Sequence, residues 1–179
     1  MKTRKRLLIV DGYNVLRSGS RYARISLPDY TDDTFNTARE RLINDVINYA
    51  GRDMQAIVVF DGKGNQYSEG QPESIGGVKV IFSPAGQIAD RVIEKLAHDA
   101  RERNVETMVV TSDSTIQDTV FGDGVDRMSA EGFCREMELH YDSARLDEKP
   151  VVARKSTIAG RISPDALEKL RALRDSGCP

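Results

Sequence analysis

Four aspartates stand where their chemistry could be combined. Asp11 directly follows the apolar run Leu7–Val10, Asp61 directly follows Ala56–Phe60, and Asp113 lies two positions past the end of Thr107–Thr111. Short runs that are apolar throughout and rich in β-branched residues read as strands buried on both faces of a parallel sheet. Parallel strands all point the same way, so the three carboxylates fall on one edge, where open α/β sheets bind their ligands. Asp90 sits near the start of the helical pattern Ile88, Val92, Ile93, Leu96, Ala100, and Glu94 follows one turn later on the same face. Carboxylates gathered at one edge repel each other unless a positive charge separates them. Hard divalent ions such as Mg²⁺ or Mn²⁺, which favour carboxylate and water oxygens, suit that place. Each acid also has an ordinary explanation. Asp11-Gly12 and Asp61-Gly62 are turn dipeptides, Asp113 in Thr111-Ser112-Asp113-Ser114 is placed to cap a helix, and Asp90 and Glu94 have Arg91 and Lys95 beside them as on a solvated helix face.

The elements that must position these acids alternate. Val78–Phe82 reads as a fourth strand and Val125–Met128 as a weaker one. Phe35, Ala38, Leu42, Ile43, Val46 and Ile47 recur at helical spacing, and Phe133, Met137 and Tyr141 form a third stripe behind Ser129 as N-cap. Strands alternating with helices imply right-handed crossovers and a sheet covered on both faces. The expected fold is therefore an α/β/α three-layer sandwich with a mostly parallel central sheet. Residues 17–33 and 62–77 read as loops. One domain is expected over 1–145, followed over 146–179 by a linker and a short helix with Ser163 as N-cap, Pro164 at its first position and Gly177 past its end.

Composition narrows the function classes. The 179 residues suffice to bury a core, and 30% charged with 39% hydrophobic residues suits a soluble globular protein. No apolar run approaches a membrane span. The basic start, Lys2 to Arg6, precedes an apolar run too short for a signal peptide and ended by Asp11, so a cytoplasmic protein is expected. Cys134 and Cys178 show no metal-type spacing, which fits a reducing compartment. His98 and His140 lie on separate helical patterns without a zinc-hydrolase motif. No Gly-x-Ser-x-Gly elbow, Walker loop or Gly-x-Gly-x-x-Gly turn is present. An aspartyl-phosphate phosphatase would need a second Asp two residues after the first, where Tyr13 stands. The 26 Lys and Arg against 28 Asp and Glu leave a formal charge of -2, unlike proteins that hold nucleic acid unaided.

Val10-Asp11-Gly12-Tyr13-Asn14-Val15 resembles the opening motif of NYN domains, a branch of the PIN-like nucleases. Val59-Phe60-Asp61-Gly62, Ala89-Asp90-Arg91 with Glu94, and Val110-Thr111-Ser112-Asp113 continue the pattern in order. The run Gln117…Phe121-Gly122-Asp123-Gly124, then Arg127-Met128-Ser129-Ala130, is similar to the bacterial YacP-like subgroup. The resemblance covers most of the chain. It implies a PIN-like fold, with Asp11, Asp90 and Asp113 as the metal-binding core and Asn14 supporting the site or contacting substrate. One departure stands out. Many such nucleases carry a further acid at the position of Gln117, here with Asp118 beside it.

The implied reaction is metal-assisted hydrolysis of RNA phosphodiesters. Glu94 is a candidate for a second ion or for orienting water, with Asp61, Ser112 and Gln117 as accessory positions. Arg21, Lys63 and Arg91 are expected near phosphates. Tyr13 and Tyr22 are expected to stack bases, and Arg154-Lys155 with the basic N-terminus to hold RNA further out. The near-neutral charge suggests recruitment by a larger assembly, the ribosome first. The competing reading is a non-catalytic RNA- or ribosome-binding module of the same fold.

Overall fold

The computed structural model describes residues 5–18, 21–22, 32–62, 70–85, 87–120 and 122–147. The order is β1 (Arg6–Asp11), α1 (Gly12–Arg17), α2 (Asp32–Ala50), β2 (Met54–Phe60), β3 (Glu73–Ile75), β4 (Val78–Phe82), α3 (Ala89–Glu102), β5 (Thr107–Val110), α4 (Ser114–Val120), β6 (Val125–Met128) and α5 (Ala130–Asp147). Six strands form one sheet in the order β3-β4-β2-β1-β5-β6. Every pairing is parallel except that of β3 with β4. The α/β/α sandwich expected from the alternating pattern is what the chain adopts.

β1 lies at the centre, with Ile9 opposite Ile57 of β2 and Val109 of β5. Its side chains alternate between faces, as a strand requires. Leu8 and Val10 pack with Val15, Leu16, Leu42, Val46 and Phe133 on the side covered by α1, α2 and α5. Ile9 packs with Ile93, Ala97, Ile116 and Val120 on the side covered by α3 and α4. Burial on both faces is why Leu8–Val10 and Ala56–Phe60, in the two central strands, contain no polar residue.

Two elements add to the expected ones, α1 ahead of the expected loop 17–33 and β3 inside the expected loop 62–77. α1 begins at the Asp11-Gly12 step, where the chain turns straight from strand into helix. A Cβ at Gly12 would collide with the Phe60 ring, so only glycine permits that close passage. β3 is exposed at all three residues, which leaves it without the apolar pattern of a strand. It is joined to β4 by Gly76 and Gly77, both at positive φ (57° and 87°), a two-residue hairpin that the Gly-Gly pair signals.

The chain divides into two units, Met1–Ser143 and Ala144–Pro179. Leu146 and Asp147, where the expected linker begins, still belong to α5; the rest of the linker and the terminal helix lie outside the described residues, as do Arg154 and Lys155. Among the described residues no helix is long and apolar enough to cross a membrane.

One buried ion pair joins α2 to the segment after α1. Arg21 donates to both carboxylate oxygens of Asp45, at 2.7 and 3.0 Å, and the Tyr22 hydroxyl donates to the same group at 2.7 Å. Asp45 and Tyr22 are wholly buried, and the Arg21 guanidinium lies 4.6 Å from the centre of the Tyr141 ring on α5. Burial and the neighbouring carboxylate push the Tyr22 hydroxyl well above its usual pKa. Both residues were expected at RNA; instead Tyr22 has no surface on which a base could stack, and the Arg21 fork is already occupied.

Removing one partner of a buried pair strands the other charge without water or counterion. Asp45→Ala should therefore destabilise the protein by about 3–5 kcal/mol, measured by urea unfolding. A loss under about 1 kcal/mol would mean that the pair behaves as an exposed one.

Candidate active site

The carboxyl edge of the sheet carries the site. Asp11 is both the last residue of β1 and the N-cap of α1. One of its carboxylate oxygens accepts the Asn14 N–H at 3.2 Å, and the other accepts the Thr111 hydroxyl at 3.0 Å. It is 7% exposed, which for a carboxylate is deep. Thr111, just past β5, is buried as well and works in two directions: while donating to Asp11, its hydroxyl accepts the Asp113 N–H at 3.1 Å. A second strap runs alongside, where the Asn14 side-chain oxygen accepts the Ser112 N–H at 2.8 Å. The ends of β1 and β5, about 100 residues apart in sequence, are thus tied by side chains as well as by the ladder.

Asp113 stands before α4, and its carboxylate accepts the Thr115 N–H at 2.8 Å, the capping role its setting allowed. Asp61 follows β2, with the buried Ser83 hydroxyl 3.3 Å from its carboxylate; that hydroxyl accepts the Gly62 N–H at 2.9 Å. Asp90 lies in the first turn of α3. All four aspartates, Asp11, Asp61, Asp90 and Asp113, line one open cavity of about 480 Å³. Asn14 lines it too, and Tyr13, Arg17 and Ser18 of α1 and its C-cap form a wall.

The cavity is electrostatically strained. Burial raises the Asp11 carboxyl above its usual 3.8; the charges of Asp90 and Asp113 raise it further, against the hydrogen bonds from Asn14 and Thr111 that lower it. Asp90 is raised by burial first, then by the charges of Asp113, Glu94 and Asp61. The donor set is all oxygen, which fits a hard divalent ion with water completing its shell. Among the described residues, however, no three acids or other ligating side chains converge closely enough to hold an ion as they stand. Asp11, Asp90 and Asp113 share the cavity, but the expected convergence on one point is not reached. Asp11 and Asp113 are each oriented by a backbone N–H at the start of their own helix.

The remaining candidates divide. Glu94 is half-buried and acts on Asp90 through its charge, but does not line the cavity. Arg91 is exposed on α3 and does not line it either, and Lys63 lies outside the described residues. Gln117 donates its side-chain N–H to the Thr111 carbonyl at 2.6 Å, steadying the strap. The Ser112 hydroxyl accepts the Ala130 N–H at the start of α5, at 3.0 Å. Three residues at the site escaped the sequence reading. Thr111 reads in sequence as the last residue of a strand, and a hydroxyl at a strand end two residues before Asp113 is the signal. Arg17 and Ser18 open the expected loop 17–33, but helical spacing from Tyr13 places Arg17 on the same side of α1.

A model of the YacP-like NYN domain matches residues 8–175. The chain belongs to this family. It is 35% identical over 133 residues to the YacP protein of Bacillus subtilis (strain 168), covering 74% of this chain and 75% of that one. The fold is similar to the crystal structure of Rae1 (YacP) from Bacillus subtilis, with a TM-score of 0.63, 29% identity and 95% of each chain covered. A tryptophan-to-leucine variant of that protein gives 0.61 at 28% identity, over 94% of this chain and 99% of the other. NYN domains belong to the PIN-like nuclease superfamily, so the YacP-like fold is nuclease-like, and divalent metals are usual in that superfamily.

The raised carboxyls make a linkage prediction. An acid whose folded pKa exceeds its unfolded value binds more protons when folded, so stability falls as pH rises from about 3.8 through the folded pKa and stays lost above it. Without divalent cations, Asp113→Asn removes one repelling charge from Asp11 and Asp90 and keeps an oxygen for the Thr115 cap. Its thermal midpoint at pH 7 should equal or exceed that of the wild type, with the difference shrinking toward pH 4. A lower midpoint across that range would show that the cap outweighs the repulsion.

Proposed function

We propose that this chain is an endoribonuclease, hydrolysing RNA phosphodiesters with a divalent ion held by carboxylates. The observation that supports the reading best is the meeting of Asp11, Asp61, Asp90 and Asp113, from four separate elements, in one cavity beside an arginine. Asp11, Asp90 and Asp113 would hold Mg²⁺ or Mn²⁺, with Asp61 and Glu94 acting on it through water or on a second ion. Bound there, the ion would neutralise the scissile phosphate, activate water and stabilise the leaving oxygen.

The chain's own groups set the stage for this. The Thr111 proton is committed to Asp11, so Asp11 presents itself as an acceptor. Asn14 and Gln117 hold the β5 end still, which keeps Asp113 in register with Asp11. Tyr13, on the wall, would meet a base entering the cavity. The rival reading is a non-catalytic RNA-binding module of the same fold, whose acids hold no ion.

Asp113→Asn distinguishes the two. In Mn²⁺, cleavage of an RNA transcript should fall roughly 100-fold or more, while circular dichroism stays unchanged. Equal cleavage by folded wild type and variant would end the mechanism, and the absence of cleavage by wild type in either metal would favour the binding module.

We further propose that the substrate is delivered by a larger assembly, with the ribosome as the leading case. With 26 basic against 28 acidic residues, little net attraction for free RNA is left. The same transcript should be cut faster in a translating complex than when free, at matched metal and salt. Equal rates would remove the need for a recruiting partner.

A further inference from the structure

We infer that Arg17 is a phosphate clamp on the wall of the cavity, holding a backbone phosphate of single-stranded RNA beside the one that the carboxylates address. The inference rests on the ribonuclease reading and adds a binding residue to it. An RNA strand entering this cavity meets four carboxylates, and phosphates are repelled by all of them. Something on the chain must offset that repulsion away from the hydrolytic centre. Arg21 is consumed by Asp45, and Arg91 points its exposed side chain from a helix whose cavity contributions are Ala89 and Asp90. Among the described residues Arg17 is the one cation lining the cavity.

Its setting suits the task. Arg17 is the last residue of α1, four positions after Tyr13 and therefore on the same helical side. Its guanidinium carbon lies 5.9 Å from the centre of the Tyr13 ring, a contact that positions the planar group without using its N–H donors. Among the described residues it is in no ion pair, although acids line the same cavity. The charges that act most strongly on Asp11 and Asp90 are those of other carboxylates, so Arg17 is not their internal counterion. Exposed, held over the Tyr13 ring and with no donor engaged among the described residues, the guanidinium matches the two oxygens of a phosphate in fork geometry. The helix that carries it is capped by Asp11, so clamp and carboxylate are fixed to the two ends of one short helix.

The test uses the full chain and a fluorescently labelled single-stranded RNA of about 12 nucleotides, read by anisotropy in Ca²⁺ over a range of salt concentrations, with cleavage in Mn²⁺ measured in parallel. Arg17→Ala should weaken binding roughly 10-fold or more. It should also flatten the dependence of log affinity on log salt by about 0.7, the value of one phosphate contact on a single strand. Arg17→Lys should restore the salt dependence but only part of the affinity, because the charge returns without the fork. If the Ala variant binds like the wild type with the same salt dependence, or neither binds, the clamp is overturned. Wild-type cleavage with unchanged binding by the variant would remove the clamp and leave the nuclease reading intact. Weakened variant binding with no cleavage by the wild type would keep the clamp and remove the nuclease.

Discussion

Parallel pairing of β1 between β2 and β5 is the constraint from which the site follows. Because the three central strands run the same way in register, their carboxyl ends finish together, and the residues just beyond them must share one edge. Asp11, Asp61 and Asp113 are distant in sequence, yet none needs a special loop to reach the others. Only Asp90 arrives from a helix, and it does so from the first turn, where α3 starts over the same edge. A sheet closed by antiparallel turns would have scattered these ends to opposite sides.

That arrangement carries an electrostatic cost, and the local hydrogen bonds show how it is met. Asp11 is buried among like charges, but Thr111 and the Asn14 N–H both donate to it, which favours its charged form and holds its orientation. The Asn14–Ser112 and Gln117–Thr111 bonds do nothing for charge; they stiffen the frame against which the acids repel. Strain of this kind is typical where a fold keeps ionisable groups for chemistry instead of stability.

Behind the cavity wall the polar logic is different. Arg21, Tyr22 and Asp45 form a closed set in which every charge has a partner, and Cys134 donates its thiol to the Ser18 carbonyl at 3.3 Å nearby. Burial pushes that thiol up to about 11, leaving it protonated and inert at neutral pH. These contacts fasten the chain just after α1, and so fasten the wall that carries Arg17 and Ser18. A fully paired buried ion bond adds little stability over apolar packing, but it specifies one position for the segment it holds.

Hydrophobic runs of strand type, separated by helical periodicity, were enough to determine the sandwich, the parallel sheet and the edge on which the acids gather, because burial on both faces leaves so plain a pattern in the chain. The order Asp11, Asp61, Asp90, Asp113 was likewise legible, since strand ends are where apolar runs stop. Contacts between distant residues of ordinary type were not. Arg21 and Tyr22 looked like surface residues in a loop, and only the fold brought Asp45 of α2 against them and withdrew them from any ligand. Thr111 looked like one more β-branched strand residue until Asp11 was set beside its hydroxyl. α1 was hidden because Asp-Gly reads locally as a turn, while the tight helix start there depends on the Phe60 ring packed above Gly12. Local pattern encodes which face of an element is buried; which polar groups meet across that face is decided by packing, where one hydrogen bond can turn a surface residue into an anchor.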